Sequence, residues 1–220
     1  MKTHLTTIVP QRDRGFTLIE IIGVVAVIAI LAAVLTPRVV SVIARGKVSA
    51  TALSLGSLKS ATADYVAKNG TLPTRDGTGS TNAAVSTGRF DADLVTGGFT
   101  EKLFTVSLGT QTFDSSALTG RIHVRSQNAT SSGTITTPTA TAGGVNFDLD
   151  RSSSTADFTT GQMVVSAFIP GVVIADAIAL NKILDGDDNV GTGADSTGRC
   201  IYSAAAVDNT VTLYIYIAHY

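Results

Sequence analysis

Glu20 is the only charged residue between positions 16 and 35, the longest apolar run in the chain. A carboxylate inside an apolar helix needs a cationic or hydrogen-bonding partner, because a charge at bilayer depth is costly. Two partners are open on the residues alone. Thr17 and Glu20 have the spacing of a helix-capping box, Thr at the N-cap and Glu three residues on. Alternatively, a cation delivered from outside the local turn neutralises Glu20. A second group that could do chemistry is the stretch LDGDDNVGTGADSTGRC, residues 184–200. Asp185, Asp187 and Asn189 alternate as oxygen ligands do in a calcium loop, where a hard cation takes several oxygens at close range. Val190 stands where such a loop has its glycine, and no acidic residue closes it at the usual distance. A calcium site and a solvated acidic turn both remain open. The three histidines (His4, His123, His219) and the single Cys200 have no zinc-ligand spacing. A lone cysteine also excludes an intrachain disulfide.

Stepping from these residues to what must carry them, the run of 20 residues would rise about 30 Å as a helix, enough to cross a bilayer. Before it lies MKTHLTTIVPQRDRG, polar and basic, with the look of a targeting leader. A secretory signal would have a shorter apolar region, and a cut after the small residues of ILAAVL would discard the whole run. Lys2, Arg12 and Arg14 precede the span while Arg38, Arg45 and Lys47 follow it, so local charge does not orient it.

GFTLIEIIGVVAVIAILAAVLTPRVV, residues 15–40, resembles the N-terminal segment of type IV pilins and of the pseudopilins of type II secretion. The resemblance is close over about 25 residues, includes Pro37 at the family's usual distance from the cut, and continues loosely to Gly70. It implies that a prepilin peptidase on the cytoplasmic side cuts between Gly15 and Phe16 and methylates the new terminal Phe16. The mature chain would then have 205 residues. It further implies an assembly role for Glu20, whose carboxylate would neutralise the terminal amine of a neighbouring subunit and set axial register. Pro37 would serve filament packing or simply bend the helix between 33 and 37. The implied partners are a homo-oligomeric or mixed-pilin filament, the prepilin peptidase, an inner-membrane assembly platform and, before assembly, the lipid bilayer. The implied location is the bacterial inner membrane, single-pass, with the head outside the cytoplasm, and then a pilus or a periplasmic pseudopilus. Calcium in a C-terminal loop of some pseudopilins adds weight to the Asp185, Asp187 and Asn189 reading; otherwise no cofactor is expected.

The expected organisation is α+β: a leader (1–15), a membrane-spanning half-helix (16–37), an amphipathic half-helix (38–70) and a β-rich head (71–220). Val48, Ala52, Leu55, Leu58, Thr62 and Val66 recur at helical spacing, and Lys68-Asn69-Gly70 reads as a last turn with its terminating glycine. The full helix, if continuous, would be about 80 Å long. Beyond it, short strands are expected at 102–108, 121–126, 145–150, 162–169, 200–204 and 210–218, with a helix over 173–184. They should form a mostly antiparallel sheet packed on the long helix, since each has one apolar face to cover. Residues 74–89 and 126–144 read as hydroxyl-rich loops. On the last strand, Tyr214, Tyr216 and Tyr220 share one face and Leu213, Ile215 and Ile217 the other. A central strand buried on both faces explains this pattern with less than a binding stripe.

Charged residues make up 15% of the chain against roughly 25% in soluble domains. The net charge of −1 hides an asymmetry: residues 1–70 carry eight Lys/Arg and three Asp/Glu, residues 71–220 eight and fourteen. An acidic head argues against nucleic-acid capture. No phosphate-binding glycine loop and no nucleophile elbow are present, so the chain is expected to be a peptidase substrate rather than an enzyme. Two functions from different classes follow: a filament subunit of a pilus or pseudopilus, and a membrane-anchored ligand-binding module that uses the same arm only as a tether.

Overall fold

A computed structural model describes residues 15–73, 90–109, 123–129, 147–150, 157–186, 196–202 and 208–220. The chain divides into two compact units, Met1–Ile43 and Ala44–Tyr220. Helix α1, Leu18–Asn69, contributes residues to both.

In the first unit the described residues 15–43 are exposed throughout, including Ile22, Val25, Leu31 and Leu35. Among the described residues α1 is the one helix long and apolar enough to cross a membrane, and the apolar window that meets this test is wholly unburied. Apolar surface on this scale calls for a lipid or protein cover. A helix is suited to such a cover because it satisfies its backbone hydrogen bonds internally. The helix is unbroken across Pro37, so local melting before the proline is not present here. The Thr36 hydroxyl donates to the Ala32 carbonyl at 2.7 Å in the turn before it.

The second unit is built on a four-stranded antiparallel sheet of order β1-β2-β4-β3. The strands are β1 (His123–Asn128), β2 (Met163–Val173), β3 (Cys200–Tyr202) and β4 (Thr210–His219). The alternation of β4 sorts its side chains onto two faces. Val211, Leu213, Ile215 and Ile217 join Val165, Ala167 and Ile169 of β2 in the main core. Val48, Leu55, Leu58 and Ala61 of α1 complete that core, with Leu94 of α2 (Phe90–Thr96) and Leu180 of α3 (Ile174–Asp185). On the opposite face Tyr214 and Tyr216 pack on a second cluster formed by Ala129, Phe147, Phe158, Val164 and Ile201. The tyrosine face of β4 is thus half-buried packing surface, as expected of a central strand. Thr51 and Thr62 sit on the buried face of α1 and donate to the carbonyls of Lys47 (2.9 Å) and Leu58 (2.8 Å), so burial strands neither hydroxyl.

Several elements differ from the sequence expectation. Residues 102–108 form no strand. Phe104, Val106 and Leu108 are buried and their neighbours exposed, but the Phe104 amide donates to the Asp91 carboxylate at 2.8 Å. Alternating burial here accompanies side-chain packing into the main core outside the four strands. Residues 147–150 likewise lie outside any strand, while Phe147 fills the second cluster. Helix α2 was not anticipated, although the pair Gly97-Gly98 that ends it was legible. Ser126, Gln127 and Asn128 extend β1 into the segment expected to be a loop; 74–89 and 130–144 lie outside the described residues. Strand β2 runs past Ile169 through Pro170 and Gly171, where the register shifts against β4. A bulge tolerates proline because it interrupts the ladder. At this point Gly109, at φ +76°, comes so close that a Cβ on it would stand 2.4 Å from the Pro170 carbonyl. Helix α1 ends on Gly70 as expected, its amide donating to the Val66 carbonyl at 2.7 Å; α3 ends at Asp185, where the Gly186 amide donates to the Lys182 carbonyl at 3.1 Å.

Leu213 is fully buried in the main core, so Leu213→Ala should destabilise the protein by about 2–5 kcal/mol, measurable by denaturant unfolding in detergent. A loss below about 1 kcal/mol would show that this face is not a packed core. A second expectation concerns pH. Tyr216 stacks on Phe158 and its hydroxyl lies 2.6 Å from Nδ1 of His219. Burial pushes the Tyr216 phenol above its ordinary value of 10.0, with the charge of Arg199 opposing part of the rise. The fold therefore prefers the neutral phenol. This contribution is fully present below the ordinary phenol value and is lost as pH rises through the folded one. Thermal melts from about pH 9 upward should fall less steeply for Tyr216→Phe than for the parent chain.

Candidate processing and assembly segment

Gly15, Phe16 and Thr17 precede α1 and are exposed, Phe16 to 82%. A Cβ on Gly15 would meet nothing within 4 Å. Among the described residues there is therefore no steric need for glycine at position 15.

Helix α1 begins on a reciprocal cap. Oε2 of Glu20 accepts from the Thr17 amide at 2.7 Å and from its hydroxyl at 2.8 Å, and the Glu20 amide donates to Oγ1 of Thr17 at 3.3 Å. This is the capping-box arrangement, which satisfies amides that the first helical turn leaves without partners. While the bond between Gly15 and Phe16 is intact, the nitrogen of Phe16 is an amide and carries no charge. Cleavage would turn it into an ammonium about one turn from Glu20, changing the best partner available to the carboxylate. Of the sequence candidates here, Gly15, Phe16 and Glu20 come together at one helix start, and Pro37 lies further along the same helix.

The second candidate region resolves differently. Asp185 closes α3, and its carboxylate accepts from the Arg199 amide at 2.9 and 3.0 Å and from the Cys200 amide at 2.8 Å. It thereby ties the end of α3 to the start of β3. Gly198 passes so close that a Cβ on it would stand 2.7 Å from Oδ2 of Asp185, and its amide donates to the Asp148 carbonyl at 2.8 Å. Asp187 and Asn189 lie outside the described residues.

Asp148, Asp150 and Asp157 form an acidic group that sequence spacing did not reveal, with one ligand oxygen from each within 4.8 Å of the others. Oδ2 of Asp157 already accepts from the amides of Leu149 and Asp150. That arrangement organises a turn; the three carboxylates also constitute a set of hard oxygen donors. The only sequence signal was the clustering of acids at 148–157.

Comparison with known proteins places the first segment. Residues 10–36 match the prokaryotic N-terminal methylation motif, the prepilin-type cleavage and methylation segment of type IV pilins and pseudopilins. No curated protein and no solved structure matches the chain. The matched span contains Gly15, Phe16, Thr17 and Glu20 and ends one residue before Pro37. Together with the apolar helix it fits a membrane-anchored precursor.

The role of Asp185 is open to a direct check. Asp185→Ala removes the acceptor for two strand-entry amides and should cost about 1.5–3 kcal/mol of stability. Denaturant unfolding in detergent should show this loss; unchanged stability would mean that the α3-to-β3 tie carries no weight.

Proposed function

We propose that this chain is a structural subunit of a type IV pilus-like filament or a type II secretion pseudopilus. A prepilin peptidase cuts it between Gly15 and Phe16 and methylates Phe16, and the subunit then assembles through α1. The observation that carries the reading is the start of α1: one carboxylate, Glu20, at the head of an otherwise apolar and uncovered helix, inside the matched methylation motif. In the precursor the cap of Thr17 holds that carboxylate. After cleavage the amine of Phe16, on the same or a neighbouring copy, offers a full positive charge, adding a Coulomb attraction that the neutral amide and hydroxyl of the cap do not supply. In lipid or in a filament core, where water is excluded, this pairing favours copies whose helices are in register. The glycine at position 15, for which the described residues have no steric need, is accounted for as the residue the peptidase reads. Pro37 would act in packing the assembled helices. In this reading the leader faces the cytoplasm, and an inner-membrane platform receives the processed subunit from the bilayer.

A second reading, a membrane-tethered binding module, is favoured by one feature. A cleft of about 510 Å³ in the C-terminal unit is bordered by Ser54, Ser57, Asp91 and residues 100–105. One substitution separates the two readings. Glu20→Ala should leave membrane anchoring and cleavage intact and abolish filament assembly if the chain is a subunit, whereas a tethered module should be indifferent to it.

Intact-mass analysis of the protein from native membranes or sheared filaments tests the processing step. The expected species begins at Phe16, contains 205 residues and carries one extra methyl group. A chain beginning at Met1, or cut after residue 35, would rule the subunit reading out.

A further inference from the structure

A small cleft of about 120 Å³ opens on the flank of the C-terminal unit, where α1 meets the end of α3 and the strand β4. Leu55, Leu184 and Ile217 form apolar walls, and Lys59 and Arg199 line it from two separate elements. Both cations are exposed, and among the described residues neither side chain makes a hydrogen bond or an ion pair. The nearby carboxylate of Asp185 is directed at the backbone amides of Arg199 and Cys200. Gly56 of α1 also borders the cleft, and a Cβ there would meet nothing within 4 Å. Space for an incoming group is therefore open beside the two charges.

We propose that this cleft receives a carboxylate side chain from the acidic head of a second copy of the chain. The inference rests on the filament reading and adds a lateral contact to it. Charge complementarity selects the occupant: residues 71–220 carry fourteen Asp/Glu against eight Lys/Arg, whereas residues 38–70 of the helix carry five Lys/Arg and one Asp. The apolar walls exclude water around the incoming carboxylate, which strengthens its attraction to Lys59 and Arg199. In a filament each copy is related to the next by the same rotation and rise, so the cleft of one copy meets the head of the next in a head-to-tail sense. Head-to-tail contacts propagate from copy to copy as rings or open filaments.

The test uses full-length protein expressed in its native host, with isotopically heavy and light copies mixed before assembly. Carbodiimide joins an amine to a carboxylate only where the two already touch. The expected product is a mixed heavy–light peptide linking Lys59 to an Asp or Glu within 71–220. Lys59→Arg should lose that product and keep filament yield, since the charge is retained. Lys59→Glu combined with Arg199→Glu should lower the yield of sheared filament by about tenfold or more. Cleavage at Phe16 and protease resistance of the folded C-terminal unit should stay at parental levels in that variant. Filaments at parental yield from the double charge reversal, or assembled filaments with no Lys59 link to a second copy, would overturn the proposal while leaving the subunit reading standing. If the parent chain itself gives neither filaments nor inter-copy links through any residue, both fall together.

Discussion

The central strand β4 is the constraint on which the C-terminal unit depends. Its pleat sends Leu213, Ile215 and Ile217 to one side and Tyr214 and Tyr216 to the other, so the strand needs two covers. Helices α1, α2 and α3 contribute to the main core on the aliphatic side, while Phe147 and Phe158 cover the tyrosines. Neighbouring strands pair with it on both edges, β2 over most of its length and β3 over three residues. Once β4 is placed, the role of residues between the elements follows from what they must bridge. Asp185 holds the end of α3 to the entrance of β3, and Gly109 lets the segment after α2 lie against the bulge of β2.

Helix α1 meets a different demand at its other end. From Ile21 to Leu35 its side chains are apolar around the whole circumference, and the backbone of that stretch satisfies its hydrogen bonds within the helix. The first turn is the exception, since its amides have no partner within the helix. Thr17 and Glu20 supply those partners locally. The same carboxylate caps the helix here and, under the proposed cleavage, would be available to a charged amine.

These features support a division of labour along one chain. The N-terminal unit offers a helix that only lipid or other helices can cover, and the C-terminal unit buries its own core. A filament made from such subunits would draw cohesion from the first and present the hydroxyl-rich, acidic surface of the second. The cations at Lys59 and Arg199 would then give neighbouring copies a lateral preference that apolar helix contacts, being non-directional, do not supply.

Much of this was legible in order along the sequence. The capped apolar run, the buried stripe of α1, its end at Asn69, helix α3 and strands β2 and β4 follow from short-range periodicity and terminating glycines, which act within a few residues. The processing motif is equally local, a matter of consecutive residue types. What the tertiary structure decided are the places where a distant partner sets the outcome. Residues 102–108 alternate like a strand but meet the Asp91 carboxylate instead of a ladder. Asp185, a candidate oxygen ligand in sequence, accepts amides 14 and 15 residues away, a tie that no local pattern announces. The grouping of Asp148, Asp150 and Asp157 and the pairing of Lys59 with Arg199 around one cleft likewise depend on chain segments meeting in space. Periodicity reports which face of an element is apolar, but the choice of partner for a polar group depends on three-dimensional proximity, which a linear pattern does not contain.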